Sequence, residues 1–590
     1  MLLFFTGKRL LTATLFLLMG VSAFAQTKIA GQVSDATTNE RLAGVNIAVK
    51  GTVAGTVTNV KGEFSLTVST PTPFTLQVTS VGYATQEIKI NGDRTNLDVK
   101  LNESATLSEE VVVSASRVEE NVMKSPVSIE KMSIRSIQQS ASPDFYSALN
   151  NLKGVDLTTQ SLTFKSVNMR GFGATGNVRV AQLIDGMDNQ APGLNFAVDN
   201  IVGMPEIDVE SVEVIPGAAS ALYGPNALNG IILMTSKSPF RYQGLSASVK
   251  AGVMNASNRD KATTGFGDFA LRYAKAINNK WAYKVTAAYL RANDWQATDY
   301  INLNEANVRR EYSPTRPLGT PPSFDGMNSY GDENIQLMSS VGQAMVTAGA
   351  LPSAALALIP ADVNVSRTGF EERHLVDYNT KSLKLNGALH YRINDKVEAV
   401  AQINYGFGTT AYTGNGRYSL RNFNLTQGKF ELRGDNFTVR AYTTQERSGD
   451  SYTAGLQAIY MNEAWKPSTL WFPQYVGAFV QARQAGAPID QAHFAARTFA
   501  DQGRPTPGSE AFNQLRDRMA TNFISNTTNP GAAFLDKSNL YHIEGNYNFK
   551  NEIKFAEVLV GANYRVFQLR SQQTLFDDGG GTINIPEFGG

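Results

Sequence analysis

Four histidines, His374, His390, His493 and His542, are the only imidazoles in 590 residues, and there is no cysteine. The histidines are scattered, and no H-E-x-x-H places two on one helix face, so the spacing supplies no zinc site. The lack of thiols excludes disulfides, thiolate metal centres and cysteine nucleophiles. No G-x-S-x-G marks a serine nucleophile. Glu371-Glu372 and Asp577-Asp578 are carboxylate pairs, but both sit in loop-like sequence, where solvated side chains are the expectation. Gly171-Phe172-Gly173-Ala174-Thr175-Gly176 has the spacing of a dinucleotide-binding loop. That chemistry needs a helix N-terminus just after the glycines. Here Val178–Ile184 reads as a strand ending at Asp185-Gly186, so the glycines serve tight turns. No catalytic residue, metal ligand or cofactor is expected, and the chain reads as a non-enzyme. The segment that does suggest a function is Glu109-Glu110-Val111-Val112-Val113-Ser114-Ala115, three valines between polar flanks and strongly strand-prone.

Composition narrows the class. Lys+Arg is 53 against Asp+Glu 52, a net charge of +1, which is no footprint of a nucleic-acid binder. Charged residues are 18% and aromatics 10%, too apolar and aromatic for a disordered chain. At the N-terminus Lys8 and Arg9 precede an apolar run, Leu10–Val21, and then Ala23-Phe24-Ala25. That order predicts a secretory signal peptide over residues 1–25. The run is short of the ~20 residues of a membrane helix, and no later run reaches that length. A membrane role would therefore require a β-barrel, the other structure that satisfies every backbone group in lipid.

The mature chain divides by pattern. Residues 26–103 predict a small β-sandwich with strands Lys28–Val33, Val45–Val49, Gly62–Val68, Phe74–Ser80 and Gln86–Ile90, punctuated by turn residues. Residues 104–116 are a polar linker carrying the valine run. Residues 117–239 predict a mixed α/β stretch: a helix over Asp144–Leu152, a strand over Glu210–Pro216, a short helix over Ala218–Leu222 and a strand over Gly230–Thr235.

Residues 240–590 alternate cleanly over long strands. Trp281, Tyr283, Val285, Ala287 and Tyr289 share one face. Leu383, Leu385, Gly387, Leu389 and Tyr391 oppose Lys384, Asn386, Ala388 and His390. Ile403, Ile543, Val560 and Tyr564 lie in similar runs. Strands of about 10 residues with aromatics at the ends of the apolar face fit a transmembrane barrel, whereas soluble sandwich strands average ~5–6. About nine strands are legible, joined by short turns at Asn278-Asn279, Asn394-Asp395, Gly434-Asp435 and Lys550-Asn551-Glu552. Two connections are very long, near 293–381 and 447–538, as extracellular loops of such barrels are. Tyr460–Ala500 has helical spacing in places.

In this order the segments resemble a TonB-dependent outer-membrane receptor. Ile29-Ala30-Gly31-Gln32-Val33, Leu42-Ala43-Gly44-Val45-Asn46-Ile47, Gly62-Glu63-Phe64 and Val78-Thr79-Ser80-Val81-Gly82-Tyr83 resemble the carboxypeptidase-regulatory-like domain preceding many such receptors. Glu109–Ala115 resembles the TonB box. Asn168-Met169-Arg170-Gly171, Leu183-Ile184-Asp185-Gly186, Val212-Glu213-Val214-Ile215-Pro216-Gly217 and Ala221–Ile232, with Tyr223, Gly224, Asn229 and Gly230, resemble the plug domain. The resemblance implies a mainly β fold: an N-terminal sandwich, an α/β plug and an antiparallel barrel, 22-stranded in the full family. It implies a cell outer-membrane location with the N-terminal domain and box in the periplasm, and TonB with its inner-membrane energising complex as partner. The function it implies is import of a scarce nutrient (siderophore, vitamin, oligosaccharide or peptide) by proton-motive-force-driven plug rearrangement. A surface receptor or adhesin on the same scaffold is the alternative, against which the valine box argues. A lipoprotein partner is left open. Phe172, Phe196, Trp295 and Trp465 are guesses for ligand contact, with packing as the equal alternative. About nine strands cannot enclose a plug of ~120 residues, and the chain ends in Pro586-Glu587-Phe588-Gly589-Gly590 without a terminal aromatic. The expectation is a C-terminally truncated barrel.

Overall fold

The computed structural model describes residues 27–102 and 128–589 with the two-residue strands Val111–Val112 and Glu120–Asn121, apart from 51, 53, 69, 81, 82, 177, 220–222, 225, 256–262, 300, 304–320 and 415. The expected signal peptide lies outside these residues, as do Glu109, Glu110, Val113, Ser114 and Ala115 of the valine box and Ser220–Leu222 of the expected short helix. The chain forms two compact units, Met1–Val111 and Val112–Gly590.

The first unit has two sheets. Thr27–Asp35 lies between Glu63–Val68 and Arg94–Leu101, and Gly55–Val57, Asn46–Val49, Phe74–Thr79 and Gln86–Ile90 form the other sheet in that order. Alternate residues, among them Ile29, Val33, Ile47, Leu66, Leu76 and Val99, build one buried core. Polar turn residues set the corners. The Asp35 carboxylate accepts from the Thr37 and Thr38 amides at 2.6 and 2.7 Å, and the Asn59 side chain accepts from the Lys61 and Glu63 amides at 2.9 and 3.0 Å. Gly55–Val57 and Arg94–Leu101 are additional to the five expected strands.

The second unit contains an α/β segment and a large antiparallel sheet. The segment's main sheet runs Glu130–Ser133, Val209–Pro216, Gly230–Ser236, Val180–Ile184, Met187–Asp188. The expected helix after Asp144 begins there: the Asp144 carboxylate caps it, accepting from the Ser147 amide at 2.9 Å. It is α-helical only over Phe145–Ala148 and tightens to a 3-10 turn over Leu149–Asn151. Phe145, Tyr146, Leu149, Val212, Val214 and Ile232 pack as its core.

The large sheet has ten strands in chain order: Gly244–Asn255, Thr263–Ile277, Trp281–Asn293, Asn379–Asn394, Val397–Thr413, Arg417–Gly434, Phe437–Arg447, Asn539–Asn548, Leu559–Leu569 and Ile583–Gly589. Tyr452–Thr453 adds a short pairing to the sixth. Asn278 and Asn279, at φ 51° and 52°, make the tight hairpin between the second and third. The burial of this sheet is inverted. Val249, Val285 and Ile403 are 72%, 58% and 58% exposed, while Lys284 and Thr286 are 1% exposed. A soluble sandwich would bury the valines and expose the lysine; this wall turns its apolar face outward and covers its polar one. Trp281 stacks near Tyr391, ring centres 4.1 Å apart, at the short-turn end, with the Lys280 ammonium 5.6 Å from the Tyr391 ring. From Trp281 to Tyr289 the strand rises about 27 Å at ~3.4 Å per residue. At a tilt of ~40° that covers about 20 Å, close to the ~25 Å apolar band of outer-membrane barrels. Val285 lies midway between those aromatics. Val285→Arg is expected to cost about 2–4 kcal/mol of folding into lipid vesicles, read by urea titration; an unchanged midpoint would mean this face does not meet lipid.

The two long connections pack on each other rather than trailing as loops. Helices Ala454–Trp465, Ser468–Gln484, Ile489–Ala500 and Glu510–Thr521 come from the second, and Met338–Thr347 from the first. Met338, Ile359 and Val365 share a core with Trp471, Tyr475, Phe479 and Ala496. Buried Arg367 ties them, donating to Ser468 Oγ at 2.8 Å and the Lys466 carbonyl at 3.0 Å beneath the Trp471 ring. Arg497 donates back to the Ser366 and Pro322 carbonyls at 3.0 and 2.9 Å.

Candidate functional site where the plug meets the wall

The α/β segment lies against the covered, polar face of the ten-stranded wall, and buried ions hold it there. Pro205 opens a single 3-10 turn, Glu206–Asp208, that ends where strand Val209–Pro216 begins. The turn delivers the Asp208 carboxylate to the wall. Arg272 Nε donates to it at 2.6 Å and Lys284 Nζ at 2.7 Å, with all three side chains at most 2% exposed. Each cation spends its other donors on the segment as well. Arg272 reaches the Lys237 carbonyl at 3.2 Å, and Lys284 reaches Ser236 Oγ at 2.6 Å. Without these bonds the charges would be too costly to bury.

Asp185 and Gly186 form a second contact. They are the two-residue turn of the hairpin Val180–Ile184/Met187–Asp188, with φ 48° and 79°, the positive-φ pair that an Asp-Gly hairpin turn requires. The Asp185 carboxylate accepts from the Ser236 amide at 2.9 Å, Ser236 Oγ at 2.7 Å and Gln402 Nε2 of the wall at 2.9 Å. Its carbonyl accepts from Lys429 Nζ at 2.9 Å. Burial pushes this carboxyl up, but Lys429, Lys284 and the hydrogen bonds outweigh it and hold it well below the usual carboxylate range. The Gly186 carbonyl accepts from Arg440 Nη1 at 3.2 Å, and Arg440 is paired to Glu431 at 2.6 Å and Glu544 at 2.5 Å. A Cβ on Gly186 would stand 2.1 Å from Arg440 Nη1.

The remaining plug-motif residues gather in a knuckle within the segment. Arg170 and Gly171 turn at φ 56° and 76°, and the Arg170 guanidinium lies where a Cβ on Gly217 would be, 2.6 Å away. The Gly217 amide donates to the Asn229 carbonyl at 2.7 Å, and a Cβ on Gly230 would strike Met169 Sδ at 2.1 Å. Tyr223 packs with Ile215, Ala227 and Ile231 beside Gly224, which turns at φ 88°. The structure thus brings Arg170, Gly171, Gly217, Tyr223, Gly224, Asn229 and Gly230 together. Asp185 and Gly186 stand apart, at the wall. The strand that follows the Gly171–Gly176 segment runs over Val180–Ile184, as a turn reading of those glycines requires.

At the long-connection end the segment's tips touch the wall again. Ser161 Oγ and Thr410 Oγ1 are 2.6 Å apart, and the Leu162 amide donates to Asp294 at 2.8 Å. Burial pushes the Asp294 carboxyl up to about 6. Phe164 and Phe196 pack with Tyr412 and Phe423 of the wall. Phe196 is therefore a packing residue rather than an open ligand contact, and Trp465 is another, set against the helical core. Phe172 is exposed, and Trp295 is half-buried. Of the valine box, Val111 and Val112 form a two-residue strand.

The residues that sequence reasoning missed are the wall partners Arg272, Lys284, Gln402, Lys429, Glu431 and Arg440, together with Asp208. One signal was present: Lys284 is the charged residue inside the Trp281–Tyr289 alternation, on the face away from lipid.

Family comparisons agree with this architecture. Residues 29–113 match the CarboxypepD_reg-like domain, and residues 121–231 match the TonB-dependent Receptor Plug Domain. The chain is 29% identical over 309 residues to TonB-dependent receptor SusC of Bacteroides thetaiotaomicron, covering 50% of this chain and 29% of that protein. It is 35% identical over 227 residues to TonB-dependent receptor P3 of Formosa agariphila, covering 38% and 22%. It is 29% identical over 149 residues to the vitamin B12 transporter BtuB of Vibrio cholerae, covering 25% and 24%. Each match thus spans less than a third of the relative's own length. With an outward-facing apolar wall, an α/β segment seated on its polar face and both family models matched in order, the chain carries a TonB-dependent receptor plug domain behind a CarboxypepD_reg-like domain and has TonB-dependent receptors as its homologues.

Proposed function

We propose that this chain acts in energised import of a scarce nutrient through the outer membrane, with the plug as the gate. The observation that carries the reading is the seating of the plug on the wall by buried but polar contacts. Asp208 with Arg272 and Lys284, and Gly186 with Arg440, hold the plug to the wall by polar contacts, beside small apolar ones at Met187 and Phe196, so that it can leave as a unit. The nutrient class is a siderophore, vitamin, oligosaccharide or peptide; one relative is named for vitamin B12. The N-terminal domain and the box face the periplasm in this reading. Glu109–Ala115 pairs there with TonB by strand addition, in which main-chain hydrogen bonds give the affinity.

Proline cannot donate to such a ladder. Val112→Pro should therefore weaken binding of the full chain to a purified TonB C-terminal domain about tenfold or more, while Glu110→Ala changes it little. Equal binding by wild type and Val112→Pro would remove the box from the account.

A further inference from the structure

We propose that the outward face of the wall carries a binding site for a phosphate-bearing lipid, built on Arg291 and Lys381 at the long-connection end. The two residues are direct partners across strands Trp281–Asn293 and Asn379–Asn394. Both are exposed, and both lie on the apolar face, in line with exposed Tyr289 on one strand and exposed Leu385 on the other. Partners across a ladder bring their side chains within about 5 Å, and like charges so placed repel.

No described residue on that face neutralises them. Asn293 and Asn379, the next pair toward the loops, are bonded to each other at 2.9 Å. Tyr289 and Leu383 are the next pair toward the membrane centre, and Gly267 and Thr409 flank the cations on the neighbouring strands. The carboxylates nearest in sequence are engaged elsewhere. Asp294 accepts from the plug's Leu162 amide at 2.8 Å. Asp377 accepts from Asn379 Nδ2 at 2.8 Å, and Arg421 Nε lies 3.5 Å from it. Two cations thus meet with no acid between them, an arrangement that a bound anion relieves.

Their height fits a lipid phosphate. From Trp281 to Arg291 the strand rises about 34 Å at ~3.4 Å per residue. At a tilt of ~40° that spans about 26 Å, so the cations stand where the ~25 Å apolar band ends. Acyl chains stop at that level and headgroups begin. The shape fits as well. A cleft of about 340 Å³ opens beside the pair, lined also by Gly265, Gly267, Asn293 and Asn379. The two glycines leave strand Thr263–Ile277 bare there, and a Cβ on either would meet nothing within 4 Å. Next toward the membrane centre come Phe269, Tyr289 and Leu383, side by side on three strands, a floor along which an acyl chain can run. The Arg291 guanidinium offers a planar fork to two phosphate oxygens, and the Lys381 ammonium a point charge to a third. The site takes a lipid rather than free phosphate because its lower half is apolar. It requires only that this face meets lipid, not that the chain imports anything.

The test is a titration of the full chain in neutral detergent with a phosphatidic acid, a phosphatidylcholine of the same acyl chains, and inorganic phosphate, with bound lipid counted by native mass spectrometry. Phosphatidic acid should bind about tenfold more tightly than phosphatidylcholine, whose phosphate is masked by choline, and excess inorganic phosphate should not displace it. Arg291→Gln with Lys381→Gln should abolish that preference. Gly267→Leu keeps both charges but fills the notch, and should weaken phosphatidic acid about tenfold; the added side chain enters open space, so the fold is kept. Lys275→Gln with Lys280→Gln removes the same charge from exposed positions at the short-turn end and should keep the preference. No preference in wild type, equal losses from the two double variants, or unchanged binding in Gly267→Leu would each overturn the proposal. Displacement by inorganic phosphate would overturn it too, by making this a free-anion site. Should the Arg291 and Lys381 double variant fail to fold, Gly267→Leu and the competition in wild type still decide.

Discussion

Gly186→Val is expected to detach the plug from the wall. The residue turns at φ 79°, where a β-branched side chain pays ~1–2 kcal/mol in backbone strain. The larger effect is steric. The new Cβ would lie 2.1 Å from Arg440 Nη1 and 2.2 Å from its Cζ, and Arg440 cannot yield without breaking its pairs to Glu431 and Glu544. Uncompensated charges of that kind cost ~3–5 kcal/mol. The terms are not additive, so the expected loss is about 4 kcal/mol, read as protease sensitivity of the plug at temperatures where wild type resists. Gly171→Ala is the control. Its φ of 76° is nearly the same, but nothing lies within 4 Å of the added Cβ. It should cost only ~1 kcal/mol. Equal effects from the two substitutions would show that backbone conformation, rather than the Arg440 contact, governs the site.

Asp208→Ala should be at least as damaging. It removes the carboxylate bonded to both Arg272 and Lys284, 2% and 1% exposed, and leaves Lys284 only the more distant Asp185. Removing one partner of a buried ion pair costs ~3–5 kcal/mol, much of it the burial of what remains. Lys284→Met alone leaves Asp208 paired with Arg272 and should cost less. Asp208→Ala with Lys284→Met should recover part of the loss, because one cation rather than two is then left without its acid. Melting of the single and double variants in detergent gives the coupling. Additive losses would mean that the three side chains do not act as one site.

The wall was legible in sequence because its signal is local. The alternation over Trp281–Tyr289 and Leu383–Tyr391 fixes which side chains face out, and the structure keeps those faces. Nine of the ten strands were visible in this way. Ile583–Gly589 was not, because Pro586 interrupts it and proline reads against a strand. Arg94–Leu101 was overlooked although Leu97, Val99 and Leu101 alternate, since its first half is polar. The insertion was half visible: Tyr460–Ala500 spans three of its helices, but Met338–Thr347 gave no comparable pattern. The plug's seat was not legible at all. Asp208 meets Arg272 and Lys284 across 64 and 76 residues of chain, and Gly186 meets Arg440 across 254. Such pairs depend on which strands curl past which turn, and no window of sequence carries that. The glycines and Arg170 of the plug motif could be picked out as a set, yet their reason is steric and appears only once Arg170 is seen lying over Gly217.

The central claim is that the plug sits on the wall's polar face in one register, and a disulfide tests it most directly. The chain has no cysteine to interfere. Ser161 on the plug and Thr410 on the wall place their hydroxyl oxygens 2.6 Å apart, within reach of a bridge of ~2.05 Å. Ser161→Cys with Thr410→Cys should crosslink spontaneously in isolated outer membranes, giving a gel-mobility shift that reductant reverses. Ser161→Cys with Phe430→Cys, whose wall position faces outward, should not. A bridge at Thr410 and none at Phe430 is the predicted result. No bridge at Thr410, or bridges of equal yield at both positions, would contradict the seating on which the account rests.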